Sequence, residues 1–210
     1  GTNHEDKLDM QIYNSYKEEK DYFELVDRIY CLSKNTQQIV HDDYQIKRNK
    51  TIVIYNGLTD IYPISNKTII RQKYHIPHIP IILFAGRIES NKGLKYALQA
   101  FRIVLKTCPD CRFIIAGNGE FDVHLKECED IWAYIIWTGL ISKKKLYDLY
   151  SIADIGVIPT FNEQCSYVAI EMMMYGITMI VSNSTGVKEM VEDKVTGLHM
   201  SVIDISEHMR

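Results

Sequence analysis

The segment Pro159-Thr160-Phe161-Asn162-Glu163-Gln164-Cys165-Ser166-Tyr167-Val168-Ala169-Ile170-Glu171 sets two carboxylates eight residues apart. Glu163 precedes a helical pattern, beside the N–H groups that open a helix. Glu171 lies inside it, among Val168, Ala169, Ile170, Met172, Met173 and Met174. A carboxylate in so apolar a helix is costly unless it is paired or functional. At a helical rise the pair spans ~12 Å, matching the distance from the sugar to the ribose of a nucleotide-sugar laid over the helix start. Each carboxylate can take two hydroxyls of a diol, and the N-terminus between them can face a diphosphate. The competing reading makes Glu171 half of a structural ion pair.

A second segment, Gly86-Arg87-Ile88-Glu89-Ser90-Asn91-Lys92-Gly93, puts two cations at the start of a helical pattern. Arginine grips two phosphate oxygens at once and lysine adds a point charge, so the loop suits a diphosphate. Alternatively it is a solvated loop with incidental charges. In Gly117-Asn118-Gly119-Glu120 a dinucleotide fingerprint begins, but position 122 is Asp rather than Gly. A G-x-G alone is weak and disfavours a dinucleotide site. It leaves open a close approach of backbone to some ligand. Thr138-Gly139-Leu140-Ile141-Ser142 could hold a flat base or be a plain tight turn.

Cys108-x-x-Cys111 with His124 and Cys128 has zinc-like spacing. Cys111 leads directly into an apolar run, which argues against a metal. Lys143-Lys144-Lys145 reads as the solvated side of a helix rather than a membrane patch. No ordered Ser/His/Asp or Cys/His set suggests a covalent nucleophile.

These segments need a frame that brings them together. Short apolar runs recur at Arg28–Leu32, Thr51–Tyr55, Ile81–Ala85, Arg112–Ala116, Trp132–Trp137, Ile155–Ile158 and Met179–Val181. Most lack in/out alternation, the mark of strands buried on both faces of a parallel sheet. Helical patterns lie between them. From Asn91 to Lys106 one stripe contains Leu94, Ala97, Leu98, Phe101, Val104 and Leu105, and Pro109 follows its end. Another starts at Ser142 as N-cap. A third runs from Cys165 to Tyr175 and closes at Gly176. The alternation predicts an α/β fold, a doubly wound parallel sheet with helices on both faces. In such sheets ligands bind beyond the carboxyl ends of the strands, where all four loops fall.

Asn56-Gly57 marks a boundary, with the irregular stretch Leu58–Ile79 after it. Before it come a long amphipathic helix over Leu8–Asp27, a strand, a helix capped by Ser33, and a strand. Two strands do not make an α/β domain alone. Residues 1–57 therefore read as the tail of one domain and 58–210 as a second.

Composition narrows the classes. The chain has 210 residues, 46% hydrophobic and 24% charged, which excludes disorder and repeats. A net charge of -3 disfavours nucleic acid as partner. No apolar run approaches the ~20 residues of a membrane span. The polar, acidic stretch Gly1–Asp9 does not read as a secretory signal. Five scattered cysteines suggest a reducing compartment.

Together the loops resemble the C-terminal, nucleotide-sugar-binding half of retaining GT-B glycosyltransferases of group 1. The matching features are Gly86-Arg87 with Lys92-Gly93, Gly117-x-Gly119, Thr138-Gly139, the Glu163/Glu171 pair, Gly176, Ser184-Thr185-Gly186-Val187-Lys188-Glu189 and Val195-Thr196-Gly197-Leu198. The resemblance implies transfer of a hexose-type sugar from a nucleoside diphosphate to a saccharide or lipid-linked saccharide hydroxyl with retention, in surface polysaccharide or lipopolysaccharide synthesis. Arg87 and Lys92 would hold the donor diphosphate at Gly86 and stabilise its departure. Glu163 would bind hydroxyls of the transferred sugar. N–H groups near Ser166 and Tyr167 would approach sugar and phosphate, with Gly119 close by. Glu171 would hold the ribose, and Thr138 and Gly139 would face the base.

The resemblance further implies no cofactor and no general metal requirement, because the cations replace it. It implies a cytoplasmic location, with peripheral association at the inner membrane face. Gln164-Cys165-Ser166 stands where the family is often glycine-rich, so the sugar pocket departs from the family's pattern. The acceptor-side domain would be represented only by residues 1–57, and the chain would stop soon after Val202. On that reading the chain alone is inactive. A nucleotide-sugar-binding module without catalysis, or an epimerase or phosphorylase on the same fold, is the alternative.

Overall fold

A computed structural model describes residues 4–58, 65–184 and 186–201. The chain forms two compact units, Gly1–Tyr55 and Asn56–Arg210.

The first unit holds helix α1 (His4–Leu25), strand β1 (Ile29–Cys31), helix α2 (Lys34–Asp42) and strand β2 (Thr51–Val53). The two strands pair in parallel. Ser33 caps α2 as its sequence position predicts, its hydroxyl accepting from the Thr36 N–H at 3.0 Å. Ile29, Cys31, Val40 and Ile46 form a small core, with Phe23, Tyr44 and Val53 packed on it. Tyr16 ties α1 down by stacking on Tyr44 and donating to the Asp43 carbonyl at 2.6 Å.

The second unit contains α3 (Lys67–Lys73), β3 (Ile81–Ala85), α4 (Leu94–Thr107), β4 (Arg112–Ala116), α5 (Phe121–Glu127), β5 (Ile135–Gly139), α6 (Lys143–Ile152), β6 (Ile155–Ile158), α7 (Tyr167–Met174), β7 (Thr178–Ser182) and β8 (Gly197–Met200). Its six strands are all parallel, in the order β5-β4-β3-β6-β7-β8. This is the doubly wound, Rossmann-like sheet the apolar runs predict. The reason is visible in single strands. Ile81, Leu83, Ile114 and Ala116 enter a core with Tyr147, Tyr150 and Met172 of α6 and α7. Phe84, Phe113 and Ile115 enter the opposite core, with Leu94, Leu98 and Phe101 of α4. Both faces are covered, so neither can be polar.

The structure departs from the sequence expectation in four places. The stretch read as irregular, Leu58–Ile79, contains α3; its residues 59–64 lie outside the described residues. Residues 129–134 form a 3-10 turn, so β5 starts at Ile135 rather than Trp132. Ile131 is buried while Trp132 is half exposed, and the Ile131 N–H donates to the Cys128 carbonyl at 3.0 Å, so the chain is still turning there. Helix α5 and edge strand β8 were not foreseen. Finally, α7 begins at Tyr167, because Ser166 takes the N-cap and accepts from the Ala169 N–H at 3.2 Å.

Candidate functional site

The strand order reverses between β3 and β6, where the helices leaving the two carboxyl ends diverge to opposite faces and open a crevice. A cleft of about 250 Å³ lies at this point. Gly86, Arg87 and Lys92 line it from the loop after β3. Pro159, Thr160, Glu163, Ser166 and Tyr167 line it from the loop after β6 and the start of α7. Lys92 Nζ meets Glu163 Oε2 at 2.7 Å, both side chains about four-fifths buried. Arg87 is different: its side chain is 74% exposed and pairs with Glu89 at 2.8 Å. An ion pair that open to water contributes little and releases its arginine readily.

Glycines permit this closeness. Gly93 has φ +67°, and a Cβ there would stand 2.0 Å from the Pro159 carbonyl oxygen. The β3 and β6 loops therefore touch backbone to backbone. Asn91 O seals the contact, accepting from the Phe161 N–H at 2.9 Å and the Thr160 hydroxyl at 3.2 Å. The Gly117-x-Gly119 turn works likewise, with a neighbour inside the protein. A Cβ on Gly117 would meet Gly86 O at 1.7 Å, and one on Gly119 would meet Ile88 O at 2.1 Å. The close approach read from this turn is thus an approach to the next loop.

Glu171 does not line this cleft. It is buried, and the hydroxyls of Tyr150 and Tyr147 donate to its two oxygens at 2.9 and 3.2 Å. Lys143 Nζ lies 3.7 Å from Oε1. Burial, followed by the Glu171 charge, pushes the Tyr150 hydroxyl far above the ordinary tyrosine range, so it stays a proton donor. A carboxylate has about four acceptor positions. Two tyrosine hydroxyls occupy two of them, and Lys143 lies against Oε1. The ~12 Å helical span between the two glutamates does not hold as drawn, because residues 163–166 precede α7.

Of the remaining predicted residues, Thr138 lines a separate apolar cavity of about 280 Å³ with Tyr74, Ile76, Ile114, Ile141 and Leu149. Gly139 accepts from the Gly117 N–H at 3.1 Å. The structure thus gathers Gly86, Arg87, Lys92, Glu163, Ser166 and Tyr167 around one cleft, and places Gly119, Thr138, Gly139 and Glu171 outside its lining. Thr185 and Val202 lie outside the described residues. All five cysteines are free. Among the described residues no group of three or more His, Cys, Asp or Glu side chains is arranged to hold a metal ion. The Cys128 thiol turns to the Leu125 carbonyl, and burial, reinforced by Cys108, pushes the Cys111 thiol up to about 11.

The sequence profile of the family described as glycosyl transferases group 1 matches residues 66–207. The chain belongs to that family. It is 27% identical over 132 residues to the alpha-D-kanosaminyltransferase of Streptomyces kanamyceticus, covering 61% of this chain and 34% of the relative. It is also 27% identical over 162 residues to the lipopolysaccharide 1,2-N-acetylglucosaminetransferase of Salmonella typhimurium, covering 71% and 42%. Among solved structures, the sucrose-phosphate synthase of Thermosynechococcus elongatus superposes with a TM-score of 0.80 at 22% identity, covering 92% of this chain and 50% of that one. Anabaena Alr3699/HepE in complex with UDP-glucose superposes with a TM-score of 0.72 at 18% identity, covering 87% and 52%. The chain spans half or less of the length of the first curated relatives it matches.

In this member of the group 1 family, sequence reasoning missed the shell around Glu171. In the sequence Tyr150 is one of the apolar positions of the helix capped by Ser142, and Tyr147 is not singled out. Their three-residue spacing puts both on one helix face, but nothing local shows that α7 presents a carboxylate to that face. No helix among the described residues is long and apolar enough to cross a membrane.

Proposed function

We propose that the cleft between the β3 and β6 loops holds the diphosphate and sugar of a nucleoside-diphosphate sugar. The carrying observation is the Lys92–Glu163 pair at 2.7 Å, set at the switch point of the sheet beside the N-terminus of α7. A cation and the positive end of a helix favour the phosphates. The carboxylate accepts hydroxyls of the sugar. Arg87, free to swing from its exposed partner, closes on the diphosphate.

In this reading the bond from the sugar carbon to the diphosphate breaks as an acceptor hydroxyl oxygen bonds to that carbon on the same face, through an oxocarbenium-like transition state, and the hydroxyl proton passes to an oxygen of the departing diphosphate. Lys92 and Arg87 stabilise the charge on the departing diphosphate, the main electrostatic contribution of the protein. Glu171, fixed by its tyrosines, takes the ribose hydroxyls, and the Thr138-Gly139 loop faces the base. The acceptor is a saccharide or lipid-linked saccharide of surface polysaccharide synthesis, a class supported by the lipopolysaccharide transferase among the relatives. Residues 1–57 belong to the acceptor-side domain, and the 210-residue chain by itself binds donor without transferring sugar. Peripheral association with the inner membrane face belongs to the same reading.

Calorimetric titration with UDP and UDP-glucose tests it, these being the ligands of the Anabaena structures. Saturable binding is expected, lost in Lys92→Ala. Equal binding to wild type and Lys92→Ala, or none by any nucleoside diphosphate, overturns the assignment.

A further inference from the structure

A second and larger cleft, of about 400 Å³, lies across the loops that wall the first. It is lined by Asn91 from the loop after β3, Lys95 and Tyr96 from the start of α4, Glu120, Val123, His124 and Glu127 from α5 and the residue before it, and Phe161 from the loop after β6. The partition between the clefts is thin. Asn91 and Phe161 face this one, while Lys92 and Glu163 face the other, and the Phe161 N–H to Asn91 O hydrogen bond joins the two loops.

The lining combines two chemistries. Tyr96 and Phe161 meet edge to face, with ring centroids 5.4 Å apart, and both remain only partly buried. Val123 beside them is 61% exposed. This is apolar surface that the core does not use. Around it stand Glu120, Asn91 and the Lys95–Glu127 pair at 3.1 Å. His124 is 5% exposed, and its Nδ1 has no hydrogen-bond partner. Glu127 Oε2 has none either, and the two atoms are 3.5 Å apart, beyond a hydrogen bond.

The charge balance selects the ligand. Glu120 and Glu127 both line the cleft, and its basic groups, Lys95 and His124 Nδ1, already lie against Glu127, so a phosphate finds no unpaired cation there. A purely apolar ligand would strip water from these same groups without replacing it. A neutral pyranose satisfies both sides: its C–H face lies against an aromatic ring and its hydroxyls reach carboxylate, amide and ammonium. The volume lies within the range of small-molecule sites. We propose that this cleft is a saccharide subsite that takes a neutral sugar residue of the glycan on which the enzyme acts. The choice of a glycan rests on the donor-site reading above; the site itself rests on the cleft.

The test is amide chemical-shift mapping of the isotopically labelled 210-residue chain, titrated separately with methyl α-D-glucopyranoside, maltose and UDP. The two sugars are expected to shift the amides of Asn91, Tyr96, Val123, Glu127 and Phe161 saturably, in the millimolar range. Tyr96→Ala should weaken them by about tenfold. Val123→Arg changes an exposed residue, leaves the core intact, and should abolish the shifts by filling the cleft. Absence of saturable shifts into the tens of millimolar, or shifts that survive both variants, overturns the proposal. UDP separates the two readings. A UDP response at Lys92 and Tyr167 without a sugar response sinks the subsite alone. A sugar response without a UDP response keeps the subsite and sinks the donor site.

Discussion

The Tyr150 hydroxyl donates to Glu171 Oε2 at 2.9 Å, inside a core where Tyr150 is 1% exposed. Helix α7 thereby presents a carboxylate and the preceding helix, α6, fixes its orientation. Tyr147 completes the arrangement, stacking on Tyr175 with centroids 5.6 Å apart while its hydroxyl holds Oε1. Tyr150→Phe removes one hydrogen bond to a charged group and should cost about 1.5–3 kcal/mol in urea unfolding. Glu171→Ala should cost more, because it strands two tyrosine hydroxyls at once. With the ribose assignment, Glu171→Gln weakens UDP and leaves pyrophosphate affinity unchanged; equal effects on both ligands would assign Glu171 to structure alone.

The Lys92–Glu163 pair gives the two cations distinguishable signatures. Arg87→Ala should weaken pyrophosphate, UDP and UDP-glucose alike, by about 10- to 150-fold. Glu163→Gln frees Lys92 from its carboxylate, so pyrophosphate should bind as well as or better than to wild type. The same substitution should weaken UDP-glucose relative to UDP. Isothermal titration of the three ligands against both variants checks the pattern, and a uniform loss in Glu163→Gln, or no loss in Arg87→Ala, would contradict it.

Gly93 and Gly176 share a left-handed backbone, at φ +67° and +68°, but not their surroundings. A Cβ on Gly176 meets nothing within 4 Å, whereas one on Gly93 meets Pro159 O at 2.0 Å. Gly176→Ala should cost about 1–2 kcal/mol from the backbone alone. Gly93→Ala should cost a further ~1–3 kcal/mol for crowding. It should also reduce UDP binding, because the β3 and β6 loops must part. Thermal unfolding of both variants, with UDP titration of Gly93→Ala, measures the difference.

Asp148 sets an acid limit on the second unit. Burial works against its ionisation and is the largest single influence. Hydrogen bonds from Lys73 at 2.6 Å and Tyr74 at 2.9 Å outweigh it and hold the carboxyl below its usual 3.8. A carboxyl depressed in the folded state stabilises above its unfolded pKa, and that contribution is lost as pH falls through the folded value. The urea midpoint of wild type should therefore exceed that of Asp148→Asn at pH 7. The gap should stay constant down to about pH 5 and close below pH ~4. A gap unchanged at pH ~2 would remove the carboxylate as its cause.

Much of this protein was written locally. Ile81–Ala85 and Arg112–Ala116 announced strands buried on both faces because, after the leading Arg112, every position is apolar. The α4 stripe, the Ser33 and Ser142 caps and the loops at the strand ends needed no tertiary knowledge. What sequence could not carry was which groups meet across long separations. Helix α3 has seven residues and little intrinsic stability. It is held because Ile70 enters the core and the buried Arg71 reaches the Ile79 and Ile152 carbonyls, with Lys67 and Lys73 pairing to Asp154 and Asp148 at its rim. The glycines of Gly117-x-Gly119 signalled a close approach, but only the packing of adjacent strands named the neighbour as Gly86 and Ile88. The local pattern made Glu171 a buried carboxylate in need of partners. The crossing of α6 and α7 made those partners Tyr147 and Tyr150, since partner choice in a core follows from the geometry of the whole sheet and not from spacing along one helix.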